Sequence, residues 1–153
     1  MKALMICLGN ICRSPMAEGI VRKLAADRGI DIQLDSCGTN GFHDGESPDS
    51  RATRNLKEKG IDISDLHSRK FRSTDFDKFD VLFTMDLSNR DTILALAKTE
   101  SDRKKVKLFL NEAHPGKDLP VPDPYYGGDE GFESVYQLIN EAAAAFLNKI
   151  EHE

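Results

Sequence analysis

A cysteine and an arginine frame the stretch of this chain best suited to chemistry, Cys7-Leu-Gly-Asn-Ile-Cys-Arg-Ser-Pro15. An apolar run before it predicts a strand, and the pattern that begins at Pro15 predicts a helix. A loop between a strand and a helix N-terminus gathers backbone N–H groups and the positive end of a helix dipole, which favours anion binding. The same field favours a cysteine thiolate, and the planar fork of arginine matches two phosphate oxygens. The stretch therefore predicts phosphoryl transfer through Cys7 as nucleophile, with Arg13 binding phosphate and stabilising the transition state.

The predicted phosphate-binding loop consists of Leu8, Gly9, Asn10, Ile11, Cys12, Arg13 and Ser14. Gly9 allows close approach of the backbone to phosphate, and Asn10 can hold the shape of the loop through its side chain. Ser14 fits two compatible roles, a donor to the Cys7 thiolate and the N-cap of the following helix. Cys12 is either a redox partner that protects Cys7 through a reversible disulfide or a packing residue beneath the loop.

A carboxylate far along the chain, Asp123, is the best candidate for the proton donor that an alkoxide or phenoxide leaving group requires. It lies in Pro-Asp-Pro-Tyr-Tyr, residues 122–126, where two prolines stiffen the backbone around one acid. The same carboxylate would then activate water against the phosphocysteine. Taken alone, an Asp-Pro pair is more typical of a turn. Tyr125 and Tyr126 either wall an aromatic slot or pack on the last helix.

Composition limits the class of protein. The 153 residues suit one domain covering 1–153, and 39% hydrophobic with 31% charged residues argues against disorder. A net charge of −5 argues against a large nucleic-acid surface, so we expect no nucleic acid partner. No apolar run approaches the ~18 residues of a membrane span, so we expect no membrane partner.

The cysteines indicate a compartment, and the histidines give no indication of a metal centre. Three cysteines, the third being Cys37, without a secretion signal argue against a disulfide scaffold and favour the reducing cytoplasm. The histidines lack ligand spacing, so none is assigned to a metal; they are His43, His67, His114 and His152. The basic residues Arg69, Lys70 and Arg72 are interpreted as part of a solvated face.

Alternating strand and helix patterns set the predicted architecture. Strands are predicted at 2–7, 30–36, 80–85 and 105–110. Helices are predicted from 15 to a stop at Gly29 and at 50–59, 88–98 and 132–150, with long loops at 37–50 and 111–131. This order predicts an α/β fold of three layers, a doubly wound, four-stranded parallel sheet with helices on both faces. Ligands of such sheets bind beyond the carboxyl ends of the strands, where the Cys7 loop lies.

Several motifs along nearly the whole chain resemble those of the low-molecular-weight protein tyrosine phosphatases. Residues 7–18 are similar to the amino-terminal signature of that family, and Asp123-Pro-Tyr-Tyr126 is similar to its late acid loop. Three further segments resemble the family pattern: Ser36-Cys-Gly-Thr39, Pro48-Asp-Ser-Arg-Ala52 and Met85-Asp86 with Asn89. Phe42 departs from the tryptophan or tyrosine often found there, and Cys37 from the usual alanine.

The resemblance implies a flavodoxin-like strand order, 2-1-3-4, and a protein-tyrosine-phosphatase activity without metal or other cofactor. It implies phosphotyrosine proteins and small aryl phosphates as substrates, phosphate as product, a phosphocysteine intermediate, and a monomer or weak homodimer. The implied roles are as follows: Cys7 nucleophile, Arg13 phosphate ligand, Asp123 general acid and then base, Asn10, Ser14 and Ser36 bracing the loop, Cys12 redox partner, and Phe42, Tyr125 and Tyr126 lining the substrate cleft.

Three other activities compete with this interpretation. A protein arginine phosphatase resembles this family but carries threonine where Ile11 stands and a less aromatic acid loop, so Ile11 and the tyrosine pair favour phosphotyrosine. A thioredoxin-coupled arsenate reductase requires further cysteines after the third strand, and residues 70–100 contain none. A catalytically silent phosphopeptide-binding module has no need of both Cys7 and Asp123.

Overall fold

Four strands and six α-helices alternate along the chain in a computed structural model that describes residues 1–153. The strands are β1 (Lys2–Cys7), β2 (Gln33–Gly38), β3 (Val81–Thr84) and β4 (Val106–Leu108). The helices are α1 (Arg13–Asp27), α2 (Ser50–Lys57), α3 (Asp75–Lys78), α4 (Leu87–Leu96), α5 (Glu100–Lys105) and α6 (Asp129–Glu151), and a 3-10 helix covers Phe109–Glu112. No helix combines the length and the hydropathy that a membrane-spanning segment requires.

The sheet has the order β2-β1-β3-β4, and every pairing in it is parallel. Successive side chains of β1 face opposite sides of the sheet. Ala3 and Met5 join the larger apolar core with α1, α2 and α6, whereas Leu4 and Ile6 join a smaller core with Phe76 and Ile93 of α3 and α4. The predicted strand order and three-layer architecture are therefore confirmed.

The second strand lies further along the chain than its hydrophobic pattern indicated. Residues 30–36 were expected to pair, but β2 begins at Gln33 and ends at Gly38. β2 pairs with β1 along the whole length of β1, from Lys2 opposite Gln33 to Cys7 opposite Gly38. Ile30 and Ile32 instead pack against the larger core from the connection before the strand. Their alternation reflects packing, not strand pairing.

Two short helices and the 3-10 helix were absent from the prediction, and the fourth strand was placed too broadly. The expected strand at 105–110 is a strand of only Val106–Leu108, between α5 and the 3-10 helix, which extends into the predicted loop. Helix α5 has no buried residue, so its sequence lacks the apolar periodicity from which a helix is predicted. Its support is polar: Thr99 caps it, with acidic side chains in its first turn and basic ones in its last.

Candidate functional site

The Cys7 loop joins the carboxyl end of the central strand β1 to the first turn of α1. Cys7 ends the strand and Arg13 begins the helix, and each is only 3% exposed. Asn10 takes a left-handed backbone conformation with φ of 59°, which an asparagine tolerates better than most residues. The loop also lies directly against Gly38 at the end of β2. An added Cβ at Gly38 would lie 2.7 Å from the Leu8 carbonyl oxygen, so the close contact between loop and strand requires glycine there. The sheet thus sets the shape of the loop from below.

Asn10 lies at the centre of a buried hydrogen-bond network beneath the loop. Its amide nitrogen Nδ2 donates to Ser14 Oγ at 2.7 Å and to Ser36 Oγ at 3.0 Å. Its Oδ1 accepts from the Arg69 backbone N–H at 3.1 Å, which fixes the orientation of the amide. The structure therefore brings Asn10, Ser14 and Ser36, the three residues expected to brace the loop, into one connected set.

The network continues to Glu18, a buried carboxyl group to which sequence reasoning gave no role. The Ser36 hydroxyl donates to Glu18 Oε1 at 2.7 Å. Burial raises the pKa of Glu18 above its ordinary value, and the Ser36 bond only partly offsets this. The position of Glu18 on the apolar face of a predicted helix could have indicated such a role, since a buried glutamate is rarely without a partner.

Ser14 faces the sulfur of Cys7 and does not cap the helix. Its Oγ lies 3.0 Å from Cys7 Sγ and 3.3 Å from the Cys37 carbonyl oxygen. Because Ser14 Oγ accepts from Asn10, its single hydrogen can be donated either to the Cys37 carbonyl oxygen or to the nearer sulfur of Cys7. The prediction of Ser14 as an N-cap is wrong, since α1 begins at Arg13 and Cys12 holds the cap position without a side-chain bond. The Ser14 hydroxyl therefore bonds within the phosphate-binding loop and not to the N-terminal N–H groups of α1.

Arg13 is held from one side by Asp86 and by a backbone carbonyl group. Its Nη1 donates to Asp86 Oδ2 at 2.7 Å and to the Val121 carbonyl oxygen at 3.0 Å. Burial disfavours the charged guanidinium, but Cys7 and Asp86 outweigh it and hold the pKa of Arg13 above its ordinary value. Asp86 was not assigned as a site residue. Its place just beyond β3 was a usable signal, because strand ends of a parallel sheet meet at one edge.

Asp123 enters the same site from the segment before α6. Its Oδ2 lies 3.7 Å from Arg13 Nη2, and its Oδ1 accepts from the Tyr125 backbone N–H at 3.0 Å. Asp123 thus bonds locally, as is typical of an Asp-Pro pair, and its second carboxylate oxygen faces Arg13. Its side chain is partly exposed, so it can exchange protons with water.

One cavity of about 260 Å³ contains the expected chemical groups together with the aromatic side chains. Its lining residues are Cys7, Leu8, Gly9, Ile11, Cys12, Arg13, Asn40, Phe42, His43, Asp123, Tyr125 and Tyr126. Phe42 and Tyr126 are 86% and 93% exposed, and the rings of Tyr125 and Tyr126 meet edge to face at 5.0 Å. The tyrosines therefore form a rim around the cavity, and Tyr126 is not packed on the last helix.

His43 was passed over because the histidines were judged only by metal-ligand spacing. Its Nδ1 lies 2.8 Å from Glu46 Oε2, and its ring covers Gly9, where an added Cβ would lie 3.0 Å from His43 Cδ2. The loop from 37 to 50 thus contributes a wall to the cavity through His43 as well as Phe42. No spacing rule applies to such a residue, since its role depends on where a long loop folds.

Cys12 and Cys37 are buried free thiols with raised pKa values. Burial is the main cause for Cys12, and Asp49 and Cys7 add to it. Burial alone dominates for Cys37, whose side chain belongs to the smaller core. Cys12 lines the cavity beside Cys7, whereas Cys37 does not. Only Cys12 is therefore placed to react with groups in the site.

Arg69 supports the site from outside the cavity and is not the solvated residue that its basic neighbourhood suggested. Its guanidinium donates to both oxygens of Asp75, at 3.0 and 3.1 Å, and to Asp35 Oδ2 at 3.0 and 3.1 Å. Burial disfavours its charge, but these carboxylates hold the pKa of Arg69 above its ordinary value. This ion pair fixes the backbone that donates to Asn10.

Comparison with known proteins agrees with this arrangement. A family model described as low molecular weight phosphotyrosine protein phosphatase matches residues 2–153. The Schizosaccharomyces pombe protein of that name is 42% identical over 152 residues, 97% of this chain and 96% of the relative. A protein tyrosine phosphatase from Entamoeba histolytica superposes with a TM-score of 0.93 at 36% identity, covering 99% of this chain and 97% of that one. A Drosophila arginine phosphatase superposes with a TM-score of 0.92 at 34% identity, covering 99% and 98%. The chain therefore belongs to the low molecular weight phosphotyrosine protein phosphatase family.

Proposed function

We propose that this protein hydrolyses phosphotyrosine in proteins, and small aryl phosphates, through a phosphocysteine on Cys7. The observation that carries the proposal is that a sulfur, a guanidinium and a carboxylate from distant parts of the chain line one cavity, those of Cys7, Arg13 and Asp123. Family membership supports the same reaction. Inorganic phosphate is the second product.

In the first half-reaction the Cys7 thiolate attacks phosphorus and forms an S–P bond as the P–O bond to the phenol breaks. The loop N–H groups and the Arg13 fork bind the equatorial phosphate oxygens as charge develops on them. Asp123 gives its proton to the leaving oxygen, so that a neutral phenol departs. Ser14, 3.0 Å from the sulfur, would stabilise Cys7 as an anion before attack and again as a leaving group.

In the second half-reaction the Asp123 carboxylate accepts a proton from a water molecule, and the water oxygen attacks the phosphocysteine. The S–P bond breaks, Cys7 returns as a thiolate and phosphate leaves. One carboxylate can perform both steps because the first step leaves it in the basic form that the second requires. The distance of 3.7 Å between Asp123 Oδ2 and Arg13 Nη2 supports a position of Asp123 beside the bound phosphoryl group in both steps.

The walls of the cavity favour an aromatic substrate. Phe42, Tyr125 and Tyr126 stand at the mouth, and Ile11 contributes an apolar surface inside it. A phosphotyrosine ring can stack on such walls, a contact that contributes about 0.5–1.5 kcal/mol per aromatic pair. The similarity to an arginine phosphatase keeps phosphoarginine as the second candidate substrate.

Phosphate release from a phosphotyrosine protein should exceed release from a phosphoarginine protein by roughly tenfold, the worth of one or two aromatic contacts. Both rates can be measured on the same carrier protein by colorimetric phosphate release. The variant Ile11→Thr should narrow the ratio, because Ile11 lines the cavity and the resemblance places threonine there in arginine phosphatases. Faster release from the phosphoarginine protein would assign this chain to the second activity.

We also propose that Cys12 is the redox partner of Cys7. Burial raises the pKa of Cys12 and keeps it as a thiol, so it reacts slowly with peroxide and remains reduced beside Cys7. Peroxide would oxidise the Cys7 thiolate to a sulfenic acid, and the Cys12 sulfur would displace water to form a disulfide.

Peroxide inactivation should therefore be largely reversed by dithiothreitol in the wild type and remain irreversible in Cys12→Ala. Without a second thiol, the Cys7 sulfenic acid continues to the sulfinic acid. Activity recovery and mass spectrometry of the peptide containing both cysteines measure the two outcomes. Sulfinic Cys7 without any disulfide in the treated wild type would contradict this role.

A further inference from the structure

The segment that carries Asp123 receives hydrogen bonds from one side chain of another element, Arg51 in α2. Arg51 Nη2 donates to the Tyr125 carbonyl oxygen at 2.9 Å, and Nη1 donates to the Gly127 carbonyl oxygen at 2.9 Å. The other hydrogen bonds of residues 123–127 are local, from Tyr125 N–H to Asp123 and from Gly127 N–H to Pro124. Val121 anchors the chain just before this segment through its backbone bonds to Met85 and Arg13, and Arg51 anchors the far side of Asp123.

Arg51 is in turn held in place by Asp49 and by two aromatic rings. Its Nε and Nη2 donate to the two carboxylate oxygens of Asp49, at 3.1 and 3.0 Å. Its guanidinium carbon lies 4.7 Å from the ring centre of Phe132 and 5.7 Å from that of Tyr125. A planar, delocalised cation suits this stacked and bidentate geometry, which a lysine cannot reproduce.

Asp49 connects the pair to the phosphate-binding loop. Its backbone N–H donates to the Ile11 carbonyl oxygen at 2.8 Å, and its carboxylate caps α2 by accepting from the Arg51 backbone N–H. Burial opposes the charge of Asp49, but its bonds from Arg51 outweigh burial and hold its pKa below the ordinary value. A continuous link therefore runs from Ile11 through Asp49 and Arg51 to the carbonyl groups of Tyr125 and Gly127.

We propose that Arg51 is a positioning residue that, with Asp49, sets the distance between the Asp123 carboxyl group and the phosphate-binding loop. Arg51 does not line the cavity, and its side-chain hydrogen bonds go to Asp49, Tyr125 and Gly127 and not to Cys7 or Arg13. It acts through the backbone of the segment 123–127, which it holds at a fixed distance from the phosphate-binding loop. This inference rests on the proposed role of Asp123 as general acid.

Substrates with different leaving groups can distinguish a loss of Asp123 positioning from a general loss of protein stability. Phenolate is a poor leaving group and requires the acid, whereas p-nitrophenolate departs largely without a proton. The parameter kcat/KM reports the steps through phosphoenzyme formation, so it isolates the acid role of Asp123 from its later base role. Misplacing the acid should therefore lower kcat/KM for phenyl phosphate much more than for p-nitrophenyl phosphate.

Arg51→Gln should lower kcat/KM for phenyl phosphate roughly 10- to 100-fold, the cost of misplacing a catalytic group by about 1 Å. The value for p-nitrophenyl phosphate should fall less than about threefold, and inhibition by inorganic phosphate should not change, because the Cys7 loop stays intact. Arg51→Lys should behave like Arg51→Gln, since it keeps the charge and loses the fork. The matched control is Arg54→Gln, one turn further along α2, whose exposed pair with Asp129 does not reach the segment; both its rates should match the wild type.

A double-mutant cycle tests the route of action. In an Asp123→Ala background, Arg51→Gln should produce no further loss with phenyl phosphate, because there is no acid left to position. Equal losses for both substrates, additive losses with Asp123→Ala, or no effect of Arg51→Gln would each overturn the inference. Should Arg51→Gln not fold, Asp49→Asn weakens the same link while keeping an N-cap, and it must shift the ratio of the two substrates in the same direction.

The two proposals fail in different ways. A wild-type rate of Asp123→Ala with phenyl phosphate would overturn the proposed acid and this inference with it. A large loss in Asp123→Ala combined with unchanged rates in both Arg51 variants would overturn only the inference about Arg51.

Discussion

Cys7→Ser should lower turnover of p-nitrophenyl phosphate by at least about 10⁴-fold, the order of magnitude expected when the nucleophile of a covalent mechanism is lost. A serine hydroxyl in this position remains protonated near neutral pH, so the groups that would stabilise a thiolate have no anion to hold. The exchange removes little volume and Cys7 is buried at the end of β1, so the fold should persist. Steady-state kinetics measure the loss, and trapping with acid should show no phosphoprotein.

Cys37→Ala is the matched control for this experiment. Cys37 is equally buried but points into the smaller core, and only its backbone carbonyl group meets Ser14. Its replacement should leave turnover close to the wild type. Retained activity in Cys7→Ser, or an equal loss in Cys37→Ala, would mean that the reaction does not pass through the Cys7 sulfur.

The parts of the fold that the sequence predicts are those specified by neighbouring residues. β1, its loop and α1 follow one another along the chain, and each has its own signal in apolar runs or in Pro15. The strand order came from the family resemblance, because no local pattern specifies which strands are neighbours. Helix α5 could not be predicted from periodicity, since none of its side chains is buried.

The supporting residues of the site were harder to predict because their partners are distant in sequence. Arg13 meets Asp86, and Asn10 meets Ser36 and the backbone of Arg69, across 26 to 73 residues. A basic run around Arg69 resembles a solvated face until β2 and α3 supply Asp35 and Asp75. Charge composition cannot reveal such pairs, since the partners are set by the sheet order and the loop paths.

Asp123→Ala should lower turnover by roughly 10²–10⁴-fold, the usual worth of general acid–base catalysis. The loss should be larger for phenyl phosphate than for p-nitrophenyl phosphate in kcat/KM, because only the poorer leaving group requires the proton. A residual loss in kcat should remain for both, because the phosphocysteine is the same for either substrate and its hydrolysis uses the same carboxylate. Steady-state and burst kinetics with the two substrates separate these steps.

Phosphate binding should not weaken with this substitution, although turnover falls. Asp123 Oδ2 lies 3.7 Å from Arg13 Nη2, so an ionised carboxylate there faces the region where a phosphate dianion binds. Because Asp123 is partly exposed, its repulsion is screened, and its removal should leave inhibition by inorganic phosphate unchanged or strengthen it by a factor of about 2 to 5. Asp86→Asn is the matched control, since Asp86 holds Arg13 Nη1 at 2.7 Å and its loss should weaken phosphate binding. Weaker phosphate binding in Asp123→Ala would contradict this prediction and would indicate that the carboxylate supports Arg13. Undiminished turnover in the same variant would mean that the proton donor is another residue.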